Sequence, residues 1–191
     1  MIIGLDNLAG TGTELQAKVC WMHPRPLQRG KKYFLKHTTS TAQVVVTEIV
    51  HRLDIATQTA AIAELSAQGV QVYQCTAGAW VFLEPAASLS GKTTGKNRTY
   101  QTAVHFRGPS WESTLDGSLV TATAVGSAPV PGSISLLLLK AATNRGDGIF
   151  GKVTYIQRLN TAGGLAPAGA CTDGKTVGVP YTAKYRFFAA A

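Results

Sequence analysis

The feature that most constrains this chain is the punctuation of its apolar runs. β-Branched and aromatic residues recur in short stretches broken by Gly, Pro, Asn and Ser, a pattern that reads as strands joined by turns. Candidate strands fall at 14–22, 31–37, 42–51, 70–75, 79–83, 100–106, 118–125, 134–140, 149–158 and 181–188. One segment reads as helical. In TQTAAIAELSAQ (57–68), Thr57 is placed to cap, Ala60, Ile62, Ala63 and Leu65 form an apolar side, and Gly69 is placed to end the element. The expectation is an all-β protein, an antiparallel sandwich or barrel with a short helix. Its 191 residues, 45% of them apolar, suffice for a core of ordinary size.

Composition shifts near that helical segment. Before residue 59 the strands are basic, aliphatic and nearly free of glycine, whereas after residue 69 the chain is rich in Gly, Ala, Ser and Thr. A domain boundary is expected near residue 59, separating 1–59 from 60–191. The first part offers about three strands, too few to bury both faces or to close. It should dock on the second domain or self-associate through its open strands.

The net charge of +8 raises the question of a nucleic-acid or anionic-surface partner. The charge is spread, with seven basic and four acidic side chains in 1–60 against eleven and six in 61–191. The densest run, Arg25, Arg29, Lys31, Lys32 and Lys36, flanks a turn, and aromatic residues are not interleaved with it as base stacking requires. No nucleic-acid partner is expected. ISLLLL (134–139) is far too short for a membrane span and ends at Lys140, so it reads as a buried strand. MIIGLDNLAGTGTEL lacks the basic start and long apolar stretch of a secretory signal, which suits cytoplasmic expression of this chain. Cys20, Cys75 and Cys171 fit no paired metal-ligand spacing. Neither a metal nor a cofactor is expected.

Three stretches carry candidate chemistry. AASLSGKT (86–93) satisfies a loosened phosphate-loop pattern, but TTGKNRTYQT follows where a helix would have to run, so a solvated hairpin loop is the better reading. HFRGPSWESTLDGS gathers His105, Arg107, Trp111, Glu112 and Asp116. Acid–base work would pair His105 with Glu112 or Asp116 in a pocket. The structural alternative has Gly108 and Pro109 in a turn, Trp111 in the core and Asp116–Gly117 in a tight turn. Ser110 is no nucleophile elbow, because GPSWE lacks the second glycine and carries proline at the turn. In VTYIQRLNTAGGLAPAGAC (153–171), Tyr155, Gln157 and Leu159 lie on one face and Ile156 and Arg158 on the other, so whichever face is inward buries a polar side chain. Asn160 and Thr161 can bond the local backbone, while Gly163 and Gly164 supply positive φ. Arg158 is a candidate partner for Glu112 or Asp116.

Two resemblances add to this. ELQAKVCWMHPRPLQRGKKYFLKHTTSTAQVVVTEIVHRLDI (14–55) resembles the carboxy-terminal β-barrel of the translation-factor-like GTPase subunit of sulfate adenylyltransferase, through Ala17, Trp21, Met22, Pro26, Leu27, Gly30, YFLK (33–36) and HRLDI (51–55). The resemblance implies a partial barrel fragment, an interaction module without GTPase activity. From 68 to 188 the chain resembles domain of unknown function family 3455, found in secreted or envelope proteins. The matching pieces are GVQVYQC (69–75), AWVFLEPAASL (79–89), HFRGPSWES (105–113), LLLK (137–140), VTYIQRLNTAGGLAP (153–167), Cys171 and VPYTAKYRFF (179–188). This implies a secreted or periplasmic β domain. Export in turn implies a Cys75–Cys171 disulfide with Cys20 as a thiol, against the alternative of three independent buried cysteines. The leading functional expectation is a noncatalytic domain binding a small ligand or a protein partner. The second is an enzyme with His105, Glu112, Asp116 and Arg158 as its polar centre.

Overall fold

The computed structural model describes residues 3–4, 18–19, 27–37, 40–47, 53–54 and 59–190. It divides into two compact units, Met1–Ile49 and Val50–Ala191. In the first, β1 (Ile3–Gly4) pairs antiparallel with β2 (Lys18–Val19), and β3 (Lys32–His37) pairs antiparallel with β4 (Ser40–Val45). Cys20 lies outside the described residues.

The second unit is a closed barrel. A two-residue β5 (Leu53–Asp54) flanks β6 (Thr59–Thr76), and then follow β7 (Ala79–Thr93), β8 (Tyr100–Phe106), β9 (Ser110–Ser113), β10 (Leu119–Val130), β11 (Ser133–Arg145), β12 (Val153–Gly163) and β13 (Thr176–Ala190). From β6 onward each strand pairs antiparallel with the next, and β13 returns to β6 along its whole length, from Thr176↔Gln74 to Ala190↔Thr59. Eight strands, an even number, allow the ring to close antiparallel and remove the sheet's edges. The turns use the residues that turn geometry demands: Ala77–Gly78 (φ 51° and 75°) joins β6 to β7, and Pro131–Gly132 (Gly132 φ 72°) joins β10 to β11.

The expected helix over 57–68 is not formed; residues 59–76 are strand β6. Ala, Glu, Leu and Gln favour helix intrinsically, yet Ala63, Leu65 and Ala67 are buried while Ser66 and Gln68 are exposed, a period of two. Pairing to β7 on one side and β13 on the other overrides propensity. The expected loop at 86–93 is likewise strand. β7 runs through Thr93, and the connection to β8 is 94–99. AASLSGKT therefore lies in the barrel wall, without the strand-to-helix turn that a phosphate loop needs.

Inward residues of an eight-stranded barrel just fill its lumen. Here Leu65, Leu89, Trp111, Val120, Leu139, Val153, Ile156, Tyr185 and Phe187 do so. At one end the β11–β12 connection folds Phe150 inward to lie 4.7 Å from Phe187. Its N–H donates to Ser118 Oγ, and its carbonyl accepts from Asn144 Nδ2. At the other end the β12–β13 connection crosses back to β6. Tyr73 donates its hydroxyl to Gly164 O at 2.6 Å, and Cys75 is disulfide-bonded to Cys171 with Cα atoms 5.8 Å apart. Gly164 is required there, since its φ is +79° and a Cβ would meet Tyr181, Gln71 and Ile134 side chains at about 3 Å or less. The wall is lower on this side. β8 and β9 stop at the Arg107–Pro109 turn, so β7 over 79–86 and β10 over 123–130 have no strand partner on their facing edges among the described residues.

Candidate functional site

The face of β12 is settled by register. Ile156 is fully buried opposite Phe187, and Arg158, two residues on, lies opposite the buried Tyr185. Arg158 therefore enters the barrel, and Tyr155, Gln157 and Leu159 take the other face. β13 alternates in the same way: Tyr181, Ala183, Tyr185 and Phe187 are inward. β6 contributes Gln71 and Tyr73 to the same end.

Opposite Arg158, at the end of β8, stands His105, 4% exposed. Its ring stacks on Trp111 with centroids 4.3 Å apart and planes 7° from parallel, and Tyr185 packs edge-on at 5.2 Å. Nδ1 lies 2.8 Å from Ser110 O. A carbonyl can only accept, so Nδ1 carries the proton and Nε2 is left as an acceptor. Burial drives the imidazole pKa down to about 4; the Ser110 bond opposes this and the Arg158 charge adds to it. His105 is neutral at neutral pH. Burial also raises the Tyr181 and Tyr185 hydroxyls above their ordinary value, with Arg158 opposing in both cases.

Several polar atoms at this end are buried without a hydrogen-bond partner. They are Gln71 Nε2, Trp111 Nε1, Tyr181 Oη and Tyr185 Oη. Tyr181 lies within hydrogen-bonding reach of Gln71 and Tyr185, and Tyr185 of Arg158, but the geometry of these contacts leaves the hydroxyls poorly satisfied. Buried polar atoms in native proteins are nearly always well paired, so four poorly satisfied ones in one region are unusual. Arg158 itself donates Nε–H to Ser135 O at 3.0 Å and, alone in the cluster, is half-buried.

The four residues singled out by sequence do not assemble into one centre. His105 and Arg158 share the lumen. Glu112 is on the outer wall, its Oε1 accepting from Arg145 at 2.7 Å. Asp116 is exposed and organises loops, its carboxylate accepting from Ser118 N and Ile149 N. Desolvation works against its ionised form, but bonds from Ser118, Ile149 and Ser113 outweigh it and lower the pKa. The expected pairing of Arg158 with Glu112 or Asp116 is therefore not formed. Thr161 does not bond the local backbone either; its hydroxyl is buried and unpaired. The turn readings hold, with Gly108, Gly117, Gly163 and Gly164 all at positive φ and Trp111 in the core. Ser110 Oγ donates to Arg107 O, a turn bond. Sequence reasoning missed Gln71, Tyr73, Tyr181 and Tyr185, although their period-two spacing in GVQVYQC and VPYTAKYRFF was the available signal.

Among the described residues no three His, Cys, Asp or Glu side chains come close enough to hold a metal ion, and no helix is long and apolar enough to cross a membrane. Open depressions on the barrel include one of about 590 Å³ lined mainly by small residues such as Ser66, Ser88, Ser90 and Thr102, and one of about 410 Å³ beside Val104, His105 and Phe106.

Fold and interior together define a closed, eight-stranded antiparallel meander with one apolar and one donor-rich end. The family model described as protein of unknown function (DUF3455) matches residues 55–189, and the chain belongs to that family. A second model, described as GTP-eEF1A C-terminal domain-like, matches residues 14–93, in line with the translation-factor-like reading of the first segment. The two matches overlap over 55–93, which includes β6 and β7 of the barrel. No curated protein and no solved structure matches the chain.

Proposed function

We propose that the barrel is a binding domain for a small polar ligand, taken at the end that holds Gln71, His105, Tyr181, Tyr185 and Arg158. The observation that carries this reading is the set of buried, unpartnered polar atoms gathered around one half-buried arginine inside a closed barrel. The lumen is packed by side chains toward Phe150, and the ligand is taken at the opposite end, where β8 and β9 stop short and Arg158 is half-buried. The functional division is placed near residue 59, with 60–191 binding ligand and the preceding segment acting as an interaction module that can pair its strands with another copy. An exported setting is supported by the Cys75–Cys171 bond, since such bonds persist in oxidising compartments.

An enzymatic reading keeps only His105 and Arg158 of its four residues in common surroundings. It is favoured solely by the free Nε2 acceptor of a neutral histidine. The test of the binding reading is a small-metabolite panel followed by amide NMR on the whole chain. Saturable shifts confined to 69–75, 105–111, 155–159 and 181–185 are expected. Shifts only along the outer depression around Ser66, Ser88 and Ser90 would move the site to the wall.

A further inference from the structure

We infer that the ligand of this site is a monoanionic organic carboxylate, held by Arg158 within a ring of hydrogen-bond donors; the inference rests on the binding reading above and specifies its chemistry. The first support is charge. The barrel's acidic side chains are Glu64, Glu84, Glu112, Asp116, Asp147 and Asp173. Glu64 pairs with Lys184 and Arg186, Glu84 with Arg107, and Glu112 with Arg145, all on the outer wall. Asp116 and Asp173 accept backbone N–H bonds in exposed turns, and Asp147 is exposed in another. None of these acids is paired with Arg158, and the one arginine that enters the lumen has no carboxylate partner among the described residues. A cation drawn out of water without a counterion is costly, which a bound anion relieves.

The second support is the sense of the unpartnered groups. Gln71 Nε2 and Trp111 Nε1 can only donate, and the Tyr181 and Tyr185 hydroxyls can donate as well. Arg158 donates Nε–H to Ser135 O and lies within hydrogen-bonding reach of the Tyr185 hydroxyl, and its remaining N–H groups can meet carboxylate oxygen. The acceptors are His105 Nε2, Gln71 Oε1 and the two hydroxyl oxygens, so donors from Arg158, Gln71, Trp111 and the tyrosines predominate. Such a set solvates oxygen lone pairs and offers little to a cation or to a donor-rich ligand.

Net charge selects among anions. One guanidinium and one neutral imidazole supply a single positive charge, which balances a carboxylate and leaves a phosphate dianion half compensated. Trp111, His105 and Tyr185 pack on one another beside that charge in stacked and edge-on contact, so the ligand meets Arg158 at its half-buried side.

The test compares isosteric probes on the full chain by titration calorimetry and amide NMR: benzoate against benzamide, acetate against acetamide, and inorganic phosphate. The expected result is saturable benzoate binding at 69–75, 155–159 and 181–185, roughly ten-fold or more tighter than benzamide, with phosphate no tighter than benzoate. Arg158→Gln should bring benzoate and benzamide to within about a factor of two, and Arg158→Lys should retain part of the preference. If either variant fails to fold, the wild-type ratio decides. Equal affinity for benzoate and benzamide overturns the carboxylate inference and leaves the ligand site standing, as does a site that answers only to other members of the metabolite panel. No response of these amides to any probe or panel compound overturns both readings.

Discussion

The two ends of the barrel are built from the same eight strands and solve opposite problems. Near Phe150 the lumen is closed by apolar packing: Phe187, Val153, Val120 and Leu65 are all almost fully buried, and the polar groups beside them, Ser118 and Asn144, spend their bonds on loop backbone. Near Arg158 the lumen holds a charge, a neutral histidine and donors without partners, and is covered by a connection fixed through a disulfide and one tyrosine hydroxyl. The burial at the first end leads us to expect that it contributes most of the stability. The second retains polar groups that an apolar core would exclude, and the proposed ligand site would account for them.

The widest separation of the two ends should come from large-to-small substitution. Phe187→Ala removes a fully buried ring that touches both Phe150 and Trp111, and should cost about 3–5 kcal/mol in urea unfolding at neutral pH. A cost below about 1 kcal/mol would mean that the apolar end does not carry the fold. Next in size, replacing Cys75 and Cys171 together by Ser opens a bond spanning 96 residues, with an expected loss on the order of 4 kcal/mol at most. Its local effect should be asymmetric. Hydrogen exchange should accelerate over 164–175 and 71–75 and stay unchanged around Phe150.

The contrast can be sharpened with pH. The folded His105 pKa of about 4 lies below the unfolded value near 6.5, so the unfolded chain takes up the proton first. The barrel is therefore at full stability above about pH 6.5 and loses up to about 3 kcal/mol from this residue as pH falls to about 4. Urea midpoints measured from pH 7 to pH 4 should show that slope, and His105→Gln should flatten it. The smallest effect on stability is expected at Arg158. Arg158→Met removes a charge from the lumen and fills the space with an apolar chain, so stability should change by less than about 1 kcal/mol or rise. A loss above about 3 kcal/mol would show Arg158 to be a structural member of the wall rather than a residue kept for a ligand.

Much of the barrel is legible in the chain, and the gaps have physical causes. Tyr181, Ala183, Tyr185 and Phe187 alternate cleanly, and Gly163–Gly164 announces the corner that needs positive φ. The segment 57–68 misleads because Ala, Leu, Glu and Gln are helix formers, and nothing local reveals that β6 has a partner on each side. Glu64 shows the same limit. In sequence it is one acid in a helical-looking run, yet in the fold it lies between Lys184 and Arg186 of the last strand. The candidate site was half legible for a related reason. His105 and Arg158 stood out as polar residues in otherwise apolar stretches, but whether Glu112 and Asp116 joined them depended on which face of the wall each occupied. Alternation with the inward Trp111 puts Glu112 on the outer face of β9, and the turn between β9 and β10 holds Asp116 away from the lumen.

The seam between β6 and β13 also dictates an order of events. β6 leaves the ribosome more than a hundred residues before the strand that completes it, since Thr59 pairs with Ala190. At about 5–20 residues per second that interval is on the order of ten seconds, during which β6 to β12 can form only an open, curling ribbon whose two outer strands, β6 and β12, each keep an unpaired edge. Contacts this distant in sequence also slow the search for the native state, toward the millisecond-to-second regime typical of all-β chains. A nascent chain arrested before Thr176 should therefore be protease-sensitive throughout, including at the apolar end, and should acquire resistance as a single step once the last fifteen residues of strand are released.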